Sequence, residues 1–164
     1  MLLKKAITII LILFASVLYA LPFESFAKYE VKYGVFHLGE ATAFLKVQEN
    51  GSYETKITAK ATGFAATLSG KRVETYKSVG KLIDGKFVPK SLEKVRSSNK
   101  KTKSVTYTFD HEQKQVAMFE ERCENKGCFY SSEIVPEYAQ EDILTLYHNT
   151  ALMFGKDGIK EINA

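Results

Sequence analysis

Two thiols, Cys123 and Cys128, are the first residues that could carry chemistry, and four residues separate them. A redox-active pair usually has two intervening residues and precedes a helix, which this spacing does not match. A zinc site would need two further ligands, and His37, His111 and His148 lie far apart in the chain. The intervening Glu124-Asn125-Lys126-Gly127 suits a tight turn, because Asn and Gly accept unusual backbone angles. Outside the cytosol such a pair reads most simply as a disulfide across a hairpin end. Closing so small a loop would contribute about 2 kcal/mol.

The remaining reactive groups form no recognisable constellation. His37 and His111 fall in expected turns and His148 on the polar side of an expected helix, so all three read as solvated. Glu120-Glu121 and Glu141-Asp142 are neighbours in the chain, and adjacent residues of a strand face opposite ways, which is poor geometry for paired acid–base work. There is no Gly-x-Ser-x-Gly elbow and no His-Glu-x-x-His helix, and the glycines of Gly63 to Gly70 lack the lysine-serine pair of a phosphate loop. No catalytic, cofactor-binding or metal-ligating residue is therefore assigned, and no cofactor is expected. One charged cluster stands out: Lys94, Arg96, Lys100, Lys101 and Lys103 surround an expected hairpin. It could meet the phosphates of an anionic lipid or envelope polymer, with Arg96, Lys100, Lys101 and Lys103 as the anion patch. The plainer reading is a solvated turn whose lysines discourage edge pairing.

The elements that would position these groups are mostly strands. Apolar and polar residues alternate in Lys28 to Val35, Glu40 to Gln48 and Ser52 to Thr62, the period-two signature of strands with one wet face. Asn50-Gly51 is a strong hairpin signal, so the three form an antiparallel meander. Phe64 to Leu68, bounded by glycines, reads as a short helix. Further strands are expected at Lys71 to Asp84, Lys86 to Ser97, Lys101 to Asp110, Gln115 to Cys123 and Cys128 to Val135. Pro89 marks a bulge or an edge, since proline donates no ladder hydrogen bond. The period then changes: Ile143, Leu146, Tyr147, Thr150, Ala151 and Phe154 share one helical face, with Asp142 as N-cap and Gly155 as stop. Ile159 to Ala164 reads as the opening of another strand.

The fold class expected is mainly β (α+β): a curved antiparallel sheet or half-barrel with one C-terminal helix and a short helical insert. Small residues recur on the apolar face at Ala41, Ala43, Ala59 and Ala61, beside Tyr29 and Tyr33. They leave room above the sheet. Either the helix at 142–154 or the segment at 63–70 fills that room, or it is an apolar groove for a lipid or similar ligand.

The N-terminus has two lysines, Lys4 and Lys5, then an apolar run from Ala6 to Leu18 and a small residue at Ala20. This pattern predicts a cleaved signal peptide at 1–20, in the membrane only transiently, because the run is shorter than the ~20 residues of a membrane span. Residues 21–164 then form a single β-rich domain of ordinary size. The formal charge of +4 falls by two when Lys4 and Lys5 leave, which is no argument for a polyanionic partner. Export argues against nucleic acid.

Several ordered features resemble an exported bacterial family called domain of unknown function 3108. They are Tyr29-x-Val31-x-Tyr33-Gly34, Gly39-Glu40-Ala41, Tyr53, Ala59-x-Ala61-x-Gly63-x-x-Ala66, Gly80, Pro89, Asp110 and Asp142-Ile143-Leu144-Thr145-Leu146-Tyr147. Thr145 stands where the family more usually has serine. The resemblance spans residues 27–150 and implies a periplasmic protein of Gram-negative bacteria with a curved β-sheet and no agreed activity. Members continue past the helix with more strands, so it also implies a chain truncated at its C-terminal end. Read physically, Gly34 and Gly39 would flank a turn with Phe36-His37-Leu38 at its tip, and Tyr29 and Tyr33 would pack on the inner face.

Taken together these features favour a non-enzymatic periplasmic binding or scaffold protein whose partner is a lipid, polysaccharide or protein of the cell envelope. A purely structural β-module with a helix-filled apolar face comes second. A hydrolase of an envelope polymer comes third, since it would need two acids converging about 5–10 Å apart.

Overall fold

The computed structural model describes residues 22–154. The expected signal peptide, the stop at Gly155 and the strand opening at Ile159 to Ala164 lie outside the described residues.

Eight strands follow one another: β1 (Phe23–Tyr33), β2 (Phe36–Val47), β3 (Ser52–Ala61), β4 (Val73–Ile83), β5 (Lys86–Ser97), β6 (Lys101–Asp110), β7 (Gln115–Glu124) and β8 (Gly127–Ile134). Each pairs antiparallel with its chain neighbour, in the order β1 to β8, and the sheet is not closed. Helix α1 (Gly63–Ser69) joins β3 to β4, and helix α2 (Ile143–Phe154) follows β8. The expected mainly β fold with a short helical insert and a C-terminal helix is thus the fold observed.

The turns follow their residues. Asp84 and Gly85 both have positive φ, 50° and 76°, as a two-residue turn matching the strand twist requires. The first hairpin differs from expectation. Its turn is Gly34-Val35, and Phe36, His37 and Leu38 already belong to β2. Gly39 therefore serves no turn: it is buried inside β2, where a Cβ would lie 2.4 Å from the Lys60 carbonyl oxygen. Pro89 lies opposite Gly80, at the bulge between Val79 and Gly80, and β6 pairs with β5 only from Ser91 onward. The missing amide donor falls where no ladder bond is needed.

Strand alternation assigns the faces. Tyr53, Thr55, Ile57, Ala59 and Ala61 share one face of β3, and α2 sits on that face through His148, whose ring bonds Thr55. The core lies under α2: Leu45, Val47, Tyr53 and Phe87 form one buried cluster with Leu82 against it.

Helix α2 docks by the side opposite to its apolar stripe. Ile143, Leu146 and Tyr147 are more than half exposed, while Asp142, Leu144, Thr145 and Asn149 are buried; Thr150 and Ala151 are exposed too. The seat explains this. It presents the Ser78 hydroxyl, the Thr55 hydroxyl and the backbone amide and carbonyl of Phe87, and buried polar groups require partners.

Candidate functional site

The part of the inner face that α2 leaves open is the candidate site, and strand register builds it. One row crosses the whole sheet: Tyr29, Ala41 and Ala59 on β1 to β3, then Glu74 on β4, then Arg96, Lys103 and Arg122 on β5 to β7, ending at Phe129 on β8. The next row toward α2 runs Ala27, Ala43, Ile57, Tyr76, Lys94, Val105, Glu120 and Ser131. Adjacent strands stand ~4.8 Å apart, so the two alanines span about 5 Å and the three cations about 10 Å, with Glu74 between them in the same line.

Three adjoining recesses lie along this line. The first, about 190 Å³, is lined by Val31, Leu38, Ala59, Ala61, Arg72 and Glu74 among others. The second, about 250 Å³, lies between Tyr76, Lys94, Arg96 and Val105. The third, about 430 Å³, holds Arg72, Arg96, Lys101, Lys103, Arg122 and Glu124. Ala59 and Ala61 carry too little side chain to fill the first recess, and α1, which packs against β2 and β3, buries none of its own residues.

The charges are organised as two knots. Glu74 pairs with Arg72 and, at 2.9 Å, with Arg96. Glu120 pairs with Lys103 at 2.7 Å and Arg122 at 3.2 Å. The Lys103 hydrogen bond is the main reason the Glu120 carboxyl is held below the usual carboxylate range. Lys94 makes no ion pair among the described residues; its ammonium lies 4.9 Å from the Tyr107 ring centre and 6.0 Å from that of Tyr76. Arg72 Nε is buried with no hydrogen-bond partner.

The expected site residues divide accordingly. Tyr29, Ala41, Ala43, Ala59 and Ala61 share the inner face. Tyr33 lies beyond them, paired with Phe36 at the hairpin end, and is not packed, being 76% exposed. Nor is Tyr29 packed, at 54% exposure. Of the expected anion patch, Arg96, Lys101 and Lys103 line one recess, while Lys100 sits in the turn and lines a different one. Arg72, Glu74 and Arg122 were not singled out in the sequence, and Glu120 was weighed there only as a chain neighbour of Glu121. The alternation of Glu120, Arg122 and Glu124 on one face of β7 was the available signal.

Two histidines expected in solvent are structural. His111 Nε2 lies 2.6 Å from the Pro89 carbonyl, which can only accept, so Nε2 carries the proton and Nδ1 accepts from the Tyr138 hydroxyl at 2.7 Å. His148 bonds Thr55 at 2.9 Å and packs on Phe87. Burial lowers its pKa, with Asp142 opposing. Under α2, Tyr53 donates to Ser78 and Ser78 to Asp142, while Asp142 Oδ1 caps the amides of Leu144 and Thr145. Burial pushes the Tyr53 phenol well above its ordinary range, so it stays a donor. These groups hold the helix; none faces an open recess.

Cys123 and Cys128 are opposite each other on β7 and β8 and form the expected disulfide. No helix among the described residues is long and apolar enough to cross a membrane.

No curated protein and no solved structure matches the chain. A family model described as "Protein of unknown function (DUF3108)" matches residues 28–147. That stretch runs from β1 through the Asp142-led start of α2, most of the sequence, and the chain belongs to this family.

Proposed function

We propose that this protein is an exported, non-enzymatic binding protein that holds a cell-envelope component on the open part of its inner sheet face. One observation carries the reading. The row from Tyr29 to Phe129 places small apolar residues and three cations in register on a face that α2 covers only elsewhere. A module with no ligand would have no need to leave such a surface open, because exposed apolar sheet invites association.

The polymer-hydrolase reading fits less well. Two of the three inner-face acids of the open half are engaged, Glu74 by two arginines and Glu120 by Lys103 and Arg122. Glu120, whose carboxyl the Lys103 hydrogen bond holds below the usual range, does not suit general-acid work. A purely structural role is supported under α2, where the Asp142 contacts fill the face, and not in the open half. Native mass spectrometry of the protein recovered from a bacterial periplasm tests the reading. A mass excess of lipid or glycan size that vanishes on denaturation supports it, and a bare mass from folded protein counts against it.

A further inference from the structure

We infer that the ligand of the open face is a phosphate-headed, single-chain lipid, lying along the row with its hydrocarbon over β1 to β3 and its head over β5 to β7; this rests on the binding role proposed above. The apolar end selects hydrocarbon. Ala59 and Ala61 lower the floor and Val31 and Leu38 line the recess beside them, with Glu40, Lys60, Arg72 and Glu74 as its charged lining. The same end of the sheet continues to Val35 and Phe36, 94% and 66% exposed, so a chain longer than the recess still meets apolar surface.

The other end selects an anion with several oxygens. Across β4 to β7 and the approach to β4, six cations (Arg72, Lys94, Arg96, Lys101, Lys103 and Arg122) face three carboxylates, Glu74, Glu120 and Glu124. The excess is positive, and it is centred on three adjacent strands, where Arg96, Lys103 and Arg122 stand side by side in register. Side chains about 4.8 Å apart can reach separate oxygens of one phosphate. Two donors remain to be used. Lys94 lies by the Tyr76 and Tyr107 rings and makes no ion pair among the described residues, and the buried Arg72 Nε has no acceptor among them. Arg72 also borders both the apolar and the cationic recess, where the junction of chain and head would lie. One chain is inferred because the apolar recess is small, about 190 Å³.

Calorimetric titration of the mature protein with oleoyl lysophosphatidic acid, monooleoylglycerol and glycerol 3-phosphate, all below micelle formation, tests the assignment. The intact acidic lipid should bind at least tenfold more tightly than the neutral lipid, and glycerol phosphate should not bind measurably. Arg96→Gln with Lys103→Gln should weaken the acidic lipid at least tenfold and leave the neutral one unchanged. Ala59→Phe should weaken both lipids; its thermal midpoint and that of the glutamine variant, compared with the parent, exclude misfolding as the cause. Equal affinity for the acidic and neutral lipids, or binding of glycerol phosphate as tight as that of the lipid, would overturn the assignment. A glycan adduct on the periplasmic protein, with no lipid binding, would overturn it and leave the binding role standing. A bare protein that binds no probe would overturn both.

Discussion

Ser78 on β4 donates its hydroxyl hydrogen to Asp142 at 2.5 Å, joining the middle of the sheet to the N-cap of a helix 64 positions later. The carboxylate has two tasks, because its other oxygen caps the amides of Leu144 and Thr145. Asp142→Ala should therefore lose both an N-cap, worth about 1 kcal/mol, and the partner of a buried hydroxyl, worth about 1–3 kcal/mol. The expected loss is about 3 kcal/mol of unfolding free energy, read from urea denaturation. A loss below about 0.5 kcal/mol, the range of ordinary surface changes, would mean that α2 is not seated by this contact.

The two sides of α2 should respond oppositely. Thr145 is fully buried, bonding both the amide and the carbonyl of Asp142, so Thr145→Val should cost about 1–3 kcal/mol. Leu146 is 53% exposed, and Leu146→Gln should stay within about 0.5 kcal/mol. If the leucine change were the more damaging, the helix would be docked by its apolar stripe after all.

Stability should fall in mild acid because of His148. Its folded pKa is lowered from 6.5 by burial, so the unfolded chain takes up the proton first. The sign follows from linkage: the stabilisation is complete above the unfolded value and drains away as pH falls below about 6.5 toward the folded value. Urea midpoints at pH 7.5 and 5.5 should differ more for the parent than for His148→Gln. An equal acid dependence in both would assign the effect to other groups.

Gly80 is fixed by its neighbours. A Cβ there would lie 2.0 Å from the Val88 carbonyl oxygen and 2.8 Å from the Tyr53 ring. Gly80→Ala should cost about 3 kcal/mol, at the upper end of overpacking effects because one clash is with backbone. Gly85→Ala, with open space and only a positive φ to oppose it, should cost about 1 kcal/mol. Thermal denaturation of the two variants side by side checks the order.

Replacing both Cys123 and Cys128 by serine should remove about 2 kcal/mol and leave the row of inner-face residues intact, since the bridge joins strands already paired in register. Reduction of the parent protein should match the double variant. A much larger effect would show that β8 depends on the bridge to remain on the sheet.

The strands were legible because each carries its own alternation: Tyr53 to Ala61 reads correctly without any other part of the chain. What α2 rests on was not. An apolar stripe predicts the buried side only when the seat is apolar, and this seat is made of Ser78, Thr55 and the backbone of Phe87, which come together through pairing across three strands. The same holds for His111 and His148, whose partners lie 22 and 93 residues away. The two halves of the candidate site were each visible as types, alanines in β2 and β3 and cations around β5 and β6. Their alignment in one row depends on the register of every intervening hairpin, and a slip by one residue in any of them would turn the set to the other face.

The order of the strands also bears on how the molecule is made. Because every strand pairs with its neighbour in the chain, the ladder can grow hairpin by hairpin with short loop closures, which are fast. Helix α2 is different: its bonds to β3, β4 and β5 span 93, 64 and 62 residues. It is the long closure in the assembly, and loop-closure entropy predicts that it docks after the ladder has formed. Until then the cluster of Leu45, Val47, Tyr53 and Phe87 has no lid. The interval between zipping and docking is thus the period in which a nascent chain is most open to proteolysis and to sticking to its neighbours.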